Sequence, residues 1–147
     1  MSRVFVDTNV LVYADQARSS FHRPARAALR RLEQEGAELW LSRQVLREYL
    51  VVVTRPGPSG EAPLSRDAAA EAVEAFARVY RVAEDGPLAM EALLRLMREI
   101  AVDGRQVHDA NIVATMLAHG IERLLTFNTG DFQRYRGRIA VLKFEDP

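Results

Sequence analysis

Short apolar runs alternate with longer amphipathic stretches along most of the chain. The β-branched run Arg3–Asp7 (RVFVD) and the run Glu38–Leu41 (ELWL) predict two buried strands. The runs Arg123–Phe127 (RLLTF) and Arg138–Leu142 (RIAVL) predict two more, and Tyr80–Val82 predicts a short fifth strand. Because these runs are continuously apolar, they are typical of strands that are covered on both faces of a sheet.

Helical periodicity fills the segments between these strands. Apolar positions spaced three and four apart predict helices over residues 9–17, 21–35, 43–54, 67–78, 87–101 and 108–119. The predicted helix boundaries rest on Ser42 and Ser65 as N-caps, Asp85 with Pro87 at a helix start, and Gly36 and Gly120 as stops. The segment Arg55–Pro63 (RPGPSGEAP) contains three prolines and two glycines and predicts a loop.

The order of these elements predicts the fold class. Strands separated by amphipathic helices favour an α/β fold in three α/β/α layers, with a mostly parallel central sheet of four to five strands. We expect residues 1–147 to form one domain, because that length is typical of a single domain. In such sheets, ligands bind beyond the carboxyl ends of the strands.

Composition and charge exclude several classes of protein. No apolar run approaches the ~18 residues of a membrane span, and the N-terminal segment lacks the pattern of a signal peptide. The chain has no cysteine, which excludes disulfides and thiolate metal sites and is compatible with the cytoplasm. Its formal net charge is zero, so any surface for nucleic acid must come from local clusters among the basic residues, nearly all of which are arginine.

Three acidic residues lie at the ends of predicted elements: two follow strands, and the third begins a helix. Asp7 closes the first strand, Asp131 follows the strand RLLTF by four residues, and Asp109 starts the helix HDANIVATML above an apolar stripe. Helix or turn capping is an equally credible role for each of them. Glu48 lies within the helix after the second strand, and its position alone indicates a solvated helix residue.

Acidic side chains gathered at one sheet edge would repel one another unless a cation neutralised them. Oxygen ligands without cysteine, and without an evident histidine pair, suit a hard ion such as Mg²⁺ or Mn²⁺. Such an ion can activate water and bind a phosphate oxygen. The pattern therefore favours metal-assisted hydrolysis of a phosphodiester.

Three segments together resemble a known family over essentially the whole chain. DTNVLVYA near the start, SRQVLREYLVVVTR in the middle and HDANIVATMLAHGIERLLTFNTGDFQRY near the end resemble the PIN domain, and within it the toxin ribonucleases of VapBC-type toxin–antitoxin modules. The resemblance implies a Mg²⁺- or Mn²⁺-dependent endoribonuclease that leaves a 5′-phosphate and a 3′-hydroxyl. It also implies an antitoxin partner whose C-terminal segment covers the cleft, and a homodimer.

The resemblance assigns roles to individual positions of this chain. Asp7 and Asp109 match the main metal ligands, and Glu48 and Asp131 match the residues that complete the site directly or through water. Four polar residues match accessory positions: Thr8, Asn9, Thr126 and Asn128. Some relatives have a further aspartate where this chain has Asn128, so the number of metal ions, one or two, stays open.

Cations must flank an acidic cleft that accepts RNA. The candidates for phosphate contacts are Arg43, Arg47, Arg105, Arg134, Arg136 and Arg138, each of which could equally be a solvated surface residue. His108 could act as a general base, although a helix cap or a solvent-facing position is the simpler interpretation. Trp40 and Phe127 are predicted to be core residues rather than platforms for bases.

Two other functions compete with the nuclease. One is a catalytically weak PIN-like module that acts through antitoxin complex formation and operator repression. The other is a phosphate-handling signalling domain of receiver type, which needs a paired acid beside its phosphoacceptor strand and a basic residue at a late strand end. This chain has VDTN after its first strand and Thr126 at the late position, which disfavours the receiver.

Overall fold

The computed structural model describes residues 2–58 and 60–144 and contains five strands and six α-helices within them. The strands are β1 (Arg3–Val6), β2 (Glu38–Ser42), β3 (Arg81–Ala83), β4 (Arg123–Leu125) and β5 (Ala140–Leu142). The helices are α1 (Thr8–Asp15), α2 (His22–Gln34), α3 (Arg43–Val53), α4 (Arg66–Val79), α5 (Pro87–Glu99) and α6 (Gln106–Ala118), and a 3₁₀ helix covers Thr129–Tyr135. Ser59, within the predicted loop, lies outside the described residues.

All five strands are parallel and pair in the order β3-β2-β1-β4-β5. The predicted α/β class is confirmed, and the sheet is parallel throughout. Phe5 in the central strand β1 pairs with Trp40 on one side and with Leu124 on the other. The chain moves outward from β1 to β3 and then crosses to the opposite side of β1. The carboxyl ends of β1 and β4 therefore flank the point where a parallel sheet most readily opens a ligand crevice.

The core lies on both faces of this sheet. Val4, Phe5 and Val6 are completely buried, which explains why β1 reads as an uninterrupted apolar run. Helix α6 is also buried around most of its circumference, with Ile112, Val113 and Met116 at most 1% exposed. Burial of each such side chain stabilises the fold by about 1.5–3 kcal/mol. The rigid core thus fixes the first turns of α1 and α6.

Most predicted helix boundaries are confirmed. Ser42 Oγ accepts a hydrogen bond from Val45 N at 3.3 Å, and Ser65 Oγ accepts one from Ala68 N at 3.1 Å, so both serines cap the helices that follow them. Gly36 and Gly120 adopt φ of 79° and 66° directly after α2 and α6. Only glycine enters this left-handed region without strain, which is why the two helices stop there.

Several sequence predictions are wrong in detail. Asp85 does not cap α5, because Gly86 occupies the N-cap position. Helix α6 begins at Gln106, so Asp109 lies within its first turn rather than at its start. Strand β4 ends before Phe127, and both Phe127 and Trp40 are only partly buried against the core. Among the described residues, no helix is both long enough and apolar enough to cross a membrane.

Candidate active site

Asp7 lies where β1 ends and α1 begins, and its carboxylate is held by three donors. Oδ1 accepts from Thr8 N at 2.8 Å, and Oδ2 accepts from Thr126 Oγ1 at 2.8 Å and from Asn9 Nδ2 at 3.5 Å. Asp7 N also donates to Leu125 O at 3.0 Å, which continues the pairing of β1 with β4. Asp7 is the N-cap of α1, so the capping role suggested by the sequence coexists with its place in the site.

Asn9 joins the first helix to the end of β4. Its Oδ1 accepts from Phe127 N at 3.1 Å, and its Nδ2 lies 3.4 Å from Thr126 Oγ1. Thr126 Oγ1 also accepts from Asn128 N at 3.0 Å. The four accessory residues assigned by resemblance therefore lie around Asp7: Thr8, Asn9 and Thr126 donate to it directly, and Asn128 is joined to it through Thr126. The side chain of Asn128 is exposed.

Glu48 is half-buried and bonded, and the interpretation of it as a solvated helix residue is wrong. Its Oε2 accepts from Thr8 Oγ1 at 2.8 Å and its Oε1 accepts from Gln44 Nε2 at 3.0 Å. Thr8 therefore links two acids, because its backbone N–H binds Asp7 and its hydroxyl binds Glu48. These contacts fix the Glu48 carboxylate toward β1 although it comes from α3.

Gln44 is a site residue that sequence reasoning missed. It is 6% exposed, and its Nε2 donates to Glu48 and, at 2.8 Å, to the carbonyl oxygen of His108 in α6. Its Oε1 accepts from Asn111 Nδ2 at 2.7 Å, and Asn111 also lies 3.5 Å from Asp85. The spacing of Gln44 and Glu48, one helical turn apart, is the only sequence signal for this network; nothing in the sequence marks Asn111.

Asp109 and Asp131 complete the acidic group from the other side. Asp109 is half-buried, and its pKa rises to about 6 because burial penalises the charged form and because Asp131 and Glu48 repel it. His108 and Arg134 act in the opposite direction. Asp131 is exposed within the 3₁₀ helix, so it acts on Asp109 from the rim.

Three of the four acids line one cavity of about 430 Å³. Asp7, Glu48 and Asp109 contribute carboxylates to it, and Asp131 does not line it. The rest of the lining has a polar part, Thr8, Asn9, Gln16 and Asn128, and an apolar wall, Val12, Tyr13, Val51, Val52 and Pro58. The cavity opens at the carboxyl end of β1, the place that the strand order favours for a ligand.

Burial dominates the electrostatics of Asp7. Its pKa rises to about 6 because of desolvation, against the lowering effect of the hydrogen bonds from Thr126 and Thr8. Repulsion by Glu48 and Asp109 adds to the rise. Such an arrangement binds a proton or a cation more readily than isolated carboxylates do.

The donor chemistry fits a hard divalent cation. The cavity offers carboxylate, amide and hydroxyl oxygens and no sulfur, which is the set that Mg²⁺ and Mn²⁺ prefer. Burial, and then repulsion by neighbouring acids, raises the pKa values of Asp7 and Asp109, and a bound cation would relieve both effects. Across residues 2–58 and 60–144, no three His, Asp or Glu side chains have the spacing of a formed metal centre.

The candidate arginines fall into two groups. Arg43 binds Glu84 in a bidentate pair with both distances at 2.7 Å, Arg138 binds Glu99, and Arg134 donates to Ala101 O and Gln106 Oε1. Arg134 alone among them acts on an acid of the site, Asp109. The remaining three are exposed: Arg47 lies on α3, Arg105 directly before α6, and Arg136 directly after the 3₁₀ helix. His108 is exposed as well.

Known proteins resemble this chain in sequence and in fold. Residues 4–138 match a model of the PIN domain. The whole chain aligns with 98% of Ribonuclease VapC48 of Mycobacterium tuberculosis at 32% identity over 149 residues. The structure is similar to that of VapC20 of the same organism, described as a sarcin-ricin loop cleaving toxin, with a TM-score of 0.61, 25% identity and coverage of 87% of this chain and 92% of that one.

A similar fold occurs in a toxin–antitoxin complex. VapBC2 from Rickettsia felis, solved bound to a DNA fragment of its promoter, superposes with a TM-score of 0.67 at 16% identity. The superposition covers 97% of this chain and 99% of that chain. At this identity the likeness concerns the fold alone.

Proposed function

The chain belongs to the PIN domain family, and on that premise we propose that it is a metal-dependent endoribonuclease, the toxin of a toxin–antitoxin module. The family match and the 32% identity to a ribonuclease along the full length support the activity class. We further propose that it acts in the cytoplasm on RNA with Mg²⁺ or Mn²⁺ as cofactor. Asp7, Glu48, Asp109 and Asp131 are the proposed acidic residues of the reaction.

The observation that carries this proposal is the meeting of Asp7, Glu48 and Asp109 in one cavity. They come from the end of β1, from α3 and from α6, respectively, three elements that are distant in sequence. Capping explains only Asp7, since Glu48 and Asp109 lie inside their helices. A shared ligand accounts for all three, because buried acids that repel one another destabilise the fold when no cation balances them.

The chain's own residues would perform distinct tasks. Asp7 and Asp109 would hold a divalent ion, which supplies a Lewis acid that polarises a phosphoryl oxygen and activates water. Thr126 and Thr8 orient the two oxygens of Asp7, and Thr8 with Gln44 orients Glu48. With its carboxylate fixed by two donors, Glu48 is placed to accept a proton from the attacking water. Asp131 at the rim would complete the acidic group that holds the ion, directly or through water.

Replacement of Asp7 by asparagine tests the activity directly. We expect the purified protein to cleave RNA with Mn²⁺ and Asp7→Asn to lose at least ~100-fold in rate, because an amide neither neutralises the ion nor activates water. The measurement is the initial rate of cleavage of labelled RNA with Mn²⁺, and with EDTA in its place.

A matched control keeps this experiment specific. Glu91→Gln removes one carboxylate from the exposed face of α5 and should cleave RNA at the wild-type rate. If Asp7→Asn and wild type cleave at the same rate, the proposed chemistry is wrong. If wild type itself cleaves no RNA with Mn²⁺, the alternative function, a catalytically weak module that acts through its partner, takes precedence.

The apolar wall of the cavity favours an antitoxin partner. Val51 and Val52 are 48% and 41% exposed beside the acids, so a peptide segment could cover apolar surface and acids together. We propose that an antitoxin segment covers this wall and places a cation among the carboxylates. Co-purification with the product of an adjacent small gene would test it, and Val52→Asp should release that partner. That the chain forms a homodimer stays a prediction, and analytical ultracentrifugation of the purified protein would test it.

A further inference from the structure

Helix α2 carries an exposed basic face. Arg23, Arg26 and Arg30 are spaced three and four residues apart, so they project from the same side of the helix, opposite the buried Ala25, Ala28, Leu29 and Leu32. Together with His22 they line an open surface cavity of about 560 Å³. The chain has no net charge, so this cluster is a local feature rather than part of a general positive field.

In the part of the chain that the structure describes, these three arginines have no ion-pair or hydrogen-bond partner, unlike several of the arginines that the sequence suggested as phosphate contacts. Within the described part of the chain, none of them forms an ion pair or a hydrogen bond, whereas Arg43 and Arg138 each bind a glutamate. Like charges three and four residues apart destabilise an isolated helix. A bound polyanion would offset that repulsion, and three guanidinium groups in a row suit the phosphates of a nucleic acid strand.

The basic cavity adjoins the acidic one. Ala17 lines the basic cavity and Gln16, the residue before it, lines the acidic cavity. In addition, His22 Nδ1 lies 3.0 Å from the carbonyl oxygen of Tyr13 and donates to it, and Tyr13 lines the acidic cavity. A nucleic acid strand that runs from the acidic cavity past the end of α1 therefore reaches the first turn of α2.

Aromatic rings lie at this junction. Phe21, the residue before α2, is 39% exposed, and its ring centroid is 5.1 Å from those of Tyr13 and Phe127. Phe127 in turn stacks on Phe144 at 3.7 Å, so the Phe21 ring rests on a fixed aromatic base. A supported, exposed ring beside cations is the combination that binds single-stranded nucleic acid, because a base can stack on it whatever its identity.

We propose that Phe21 and the basic face of α2 (Arg23, Arg26 and Arg30) bind the single-stranded part of the RNA substrate next to the scissile phosphate. The inference rests on the proposed ribonuclease function and adds the path of the RNA across the protein. From Arg23 to Arg30 the helix advances about 10 Å at 1.5 Å per residue. That length matches about three steps from one phosphate to the next at the ~3.4 Å rise along the axis of a stacked strand.

Charge-neutral variants measure this contact. Arg26→Gln with Arg30→Gln is compared with Arg95→Gln with Arg98→Gln, which removes two exposed charges from α5, a helix that packs on α6. All are made in the Asp7→Asn background, so that labelled random RNA of roughly 20 nucleotides stays intact during fluorescence anisotropy; that length exceeds the ~4–16 nucleotides of common single-strand sites. Melting curves verify that each variant is folded.

The salt dependence gives the expected result. Each phosphate contact on a single strand contributes about 0.7 to the slope of log K against log salt, so the α2 variant should lose about 1.4 from that slope. The loss of affinity relative to the parent protein should then be about 25-fold larger at 0.1 M salt than at 1 M salt. The α5 control should keep the parent's affinity and slope. Phe21→Leu should weaken binding without changing the slope, because stacking releases no counterions.

The contrary result is equally distinct. If the α2 variant binds RNA like the α5 control, with an unchanged slope, the basic face does not contact RNA and the inference is overturned. The same substitutions in the otherwise wild-type protein, assayed with Mn²⁺, separate the two proposals. If the α2 variant cleaves RNA with the wild-type KM, this inference alone is overturned. If the wild-type protein cleaves no RNA, the proposed ribonuclease function is overturned.

Discussion

At the scale of single residues, the site depends on side chains that are not acidic. Gln44 contacts Glu48, the carbonyl oxygen of His108 and Asn111, so one buried amide connects α3 to the first turn of α6. Its position determines both where the Glu48 carboxylate points and how close α6 lies to it. A residue of this kind affects the reaction through the acid that it orients.

We therefore expect Gln44→Met to lower kcat more than it changes KM. Methionine has a similar volume but cannot donate, so Glu48 loses one donor, and the His108 carbonyl and the Asn111 amide each lose one hydrogen bond. Each buried polar group left unpaired costs roughly 1–3 kcal/mol, so the free energy of unfolding also falls. Steady-state cleavage kinetics and urea denaturation measure the two effects.

Thr115→Val is the matched control for this change. Thr115 is buried and donates to the carbonyl oxygen of Asn111 at 2.8 Å, without touching Glu48. Its removal should lower stability but leave kcat unchanged well below the melting temperature. An equal loss of kcat in both variants would show that Gln44 acts only through stability.

Residue by residue, the sequence predicted the acids at strand ends better than it predicted their environment. Asp7 could be placed because a strand end fixes where the next side chain lies. Glu48 needed the family resemblance, since its half-buried state depends on Thr8, which is 40 residues away in sequence. The network from Gln44 to Asn111 spans 67 residues and exists only after α3 packs near α6, so local pattern carries no trace of it.

At the scale of elements, the end of α6 determines how β4 enters the sheet. Ile121 N donates to Met116 O at 2.9 Å and Gly120 N to Leu117 O at 3.3 Å, the two bonds of a Schellman motif. The motif reverses the chain directly before β4, whose carboxyl end carries Thr126. The position of Thr126, which donates to Asp7, therefore depends on Gly120, a residue outside the cavity lining.

Gly120→Ala should destabilise the protein by about 1 kcal/mol, because alanine resists the positive φ that this turn requires. An added Cβ would meet only the Arg3 guanidinium at 3.7 Å, so the cost is conformational rather than steric. Urea denaturation measures the change. Gly137→Ala serves as the control, since its φ is not positive and nothing lies within 4 Å of an added Cβ; a loss as large there would contradict the explanation.

Element boundaries show what periodicity could and could not predict. The Ser42 and Ser65 caps and the Gly36 and Gly120 stops follow from local chemistry, and all four were predicted. The start of α6 was placed too late because its first residues, Gln106, Val107 and His108, hold a single apolar side chain and no apolar stripe. The buried contacts that extend the helix come from the rest of the molecule.

At the scale of the whole molecule, the uncompensated acids should make stability depend on pH and on divalent ions. The pKa of Asp7 rises from 3.8 to about 6 on folding. Between those values the unfolded chain releases its proton while the folded chain keeps it, so stability falls as pH rises through about 4 to 6. For one buried carboxylate this loss amounts to about 3 kcal/mol.

The comparison with Asp7→Asn isolates this effect from the other titrating groups. The stability of the variant relative to wild type should increase from pH 4 to pH 7, as measured by urea denaturation without divalent ions. At pH 7, millimolar Mg²⁺ should raise the melting temperature of wild type more than that of Asp7→Asn, because the ion binds the folded acids. A stability difference that is flat across this pH range would rule out the buried, unbalanced Asp7.

The parallel pairing of β1 with β4 also bears on when the protein can act during its own synthesis. Asp7 is synthesised well before Thr126, which holds its carboxylate and lies 119 residues later in the chain. Until that segment leaves the ribosome, β1 lacks a neighbour on one side, and the acidic residues have no common scaffold. The order of strands therefore prevents the acidic site from forming on a nascent chain until translation has passed β4.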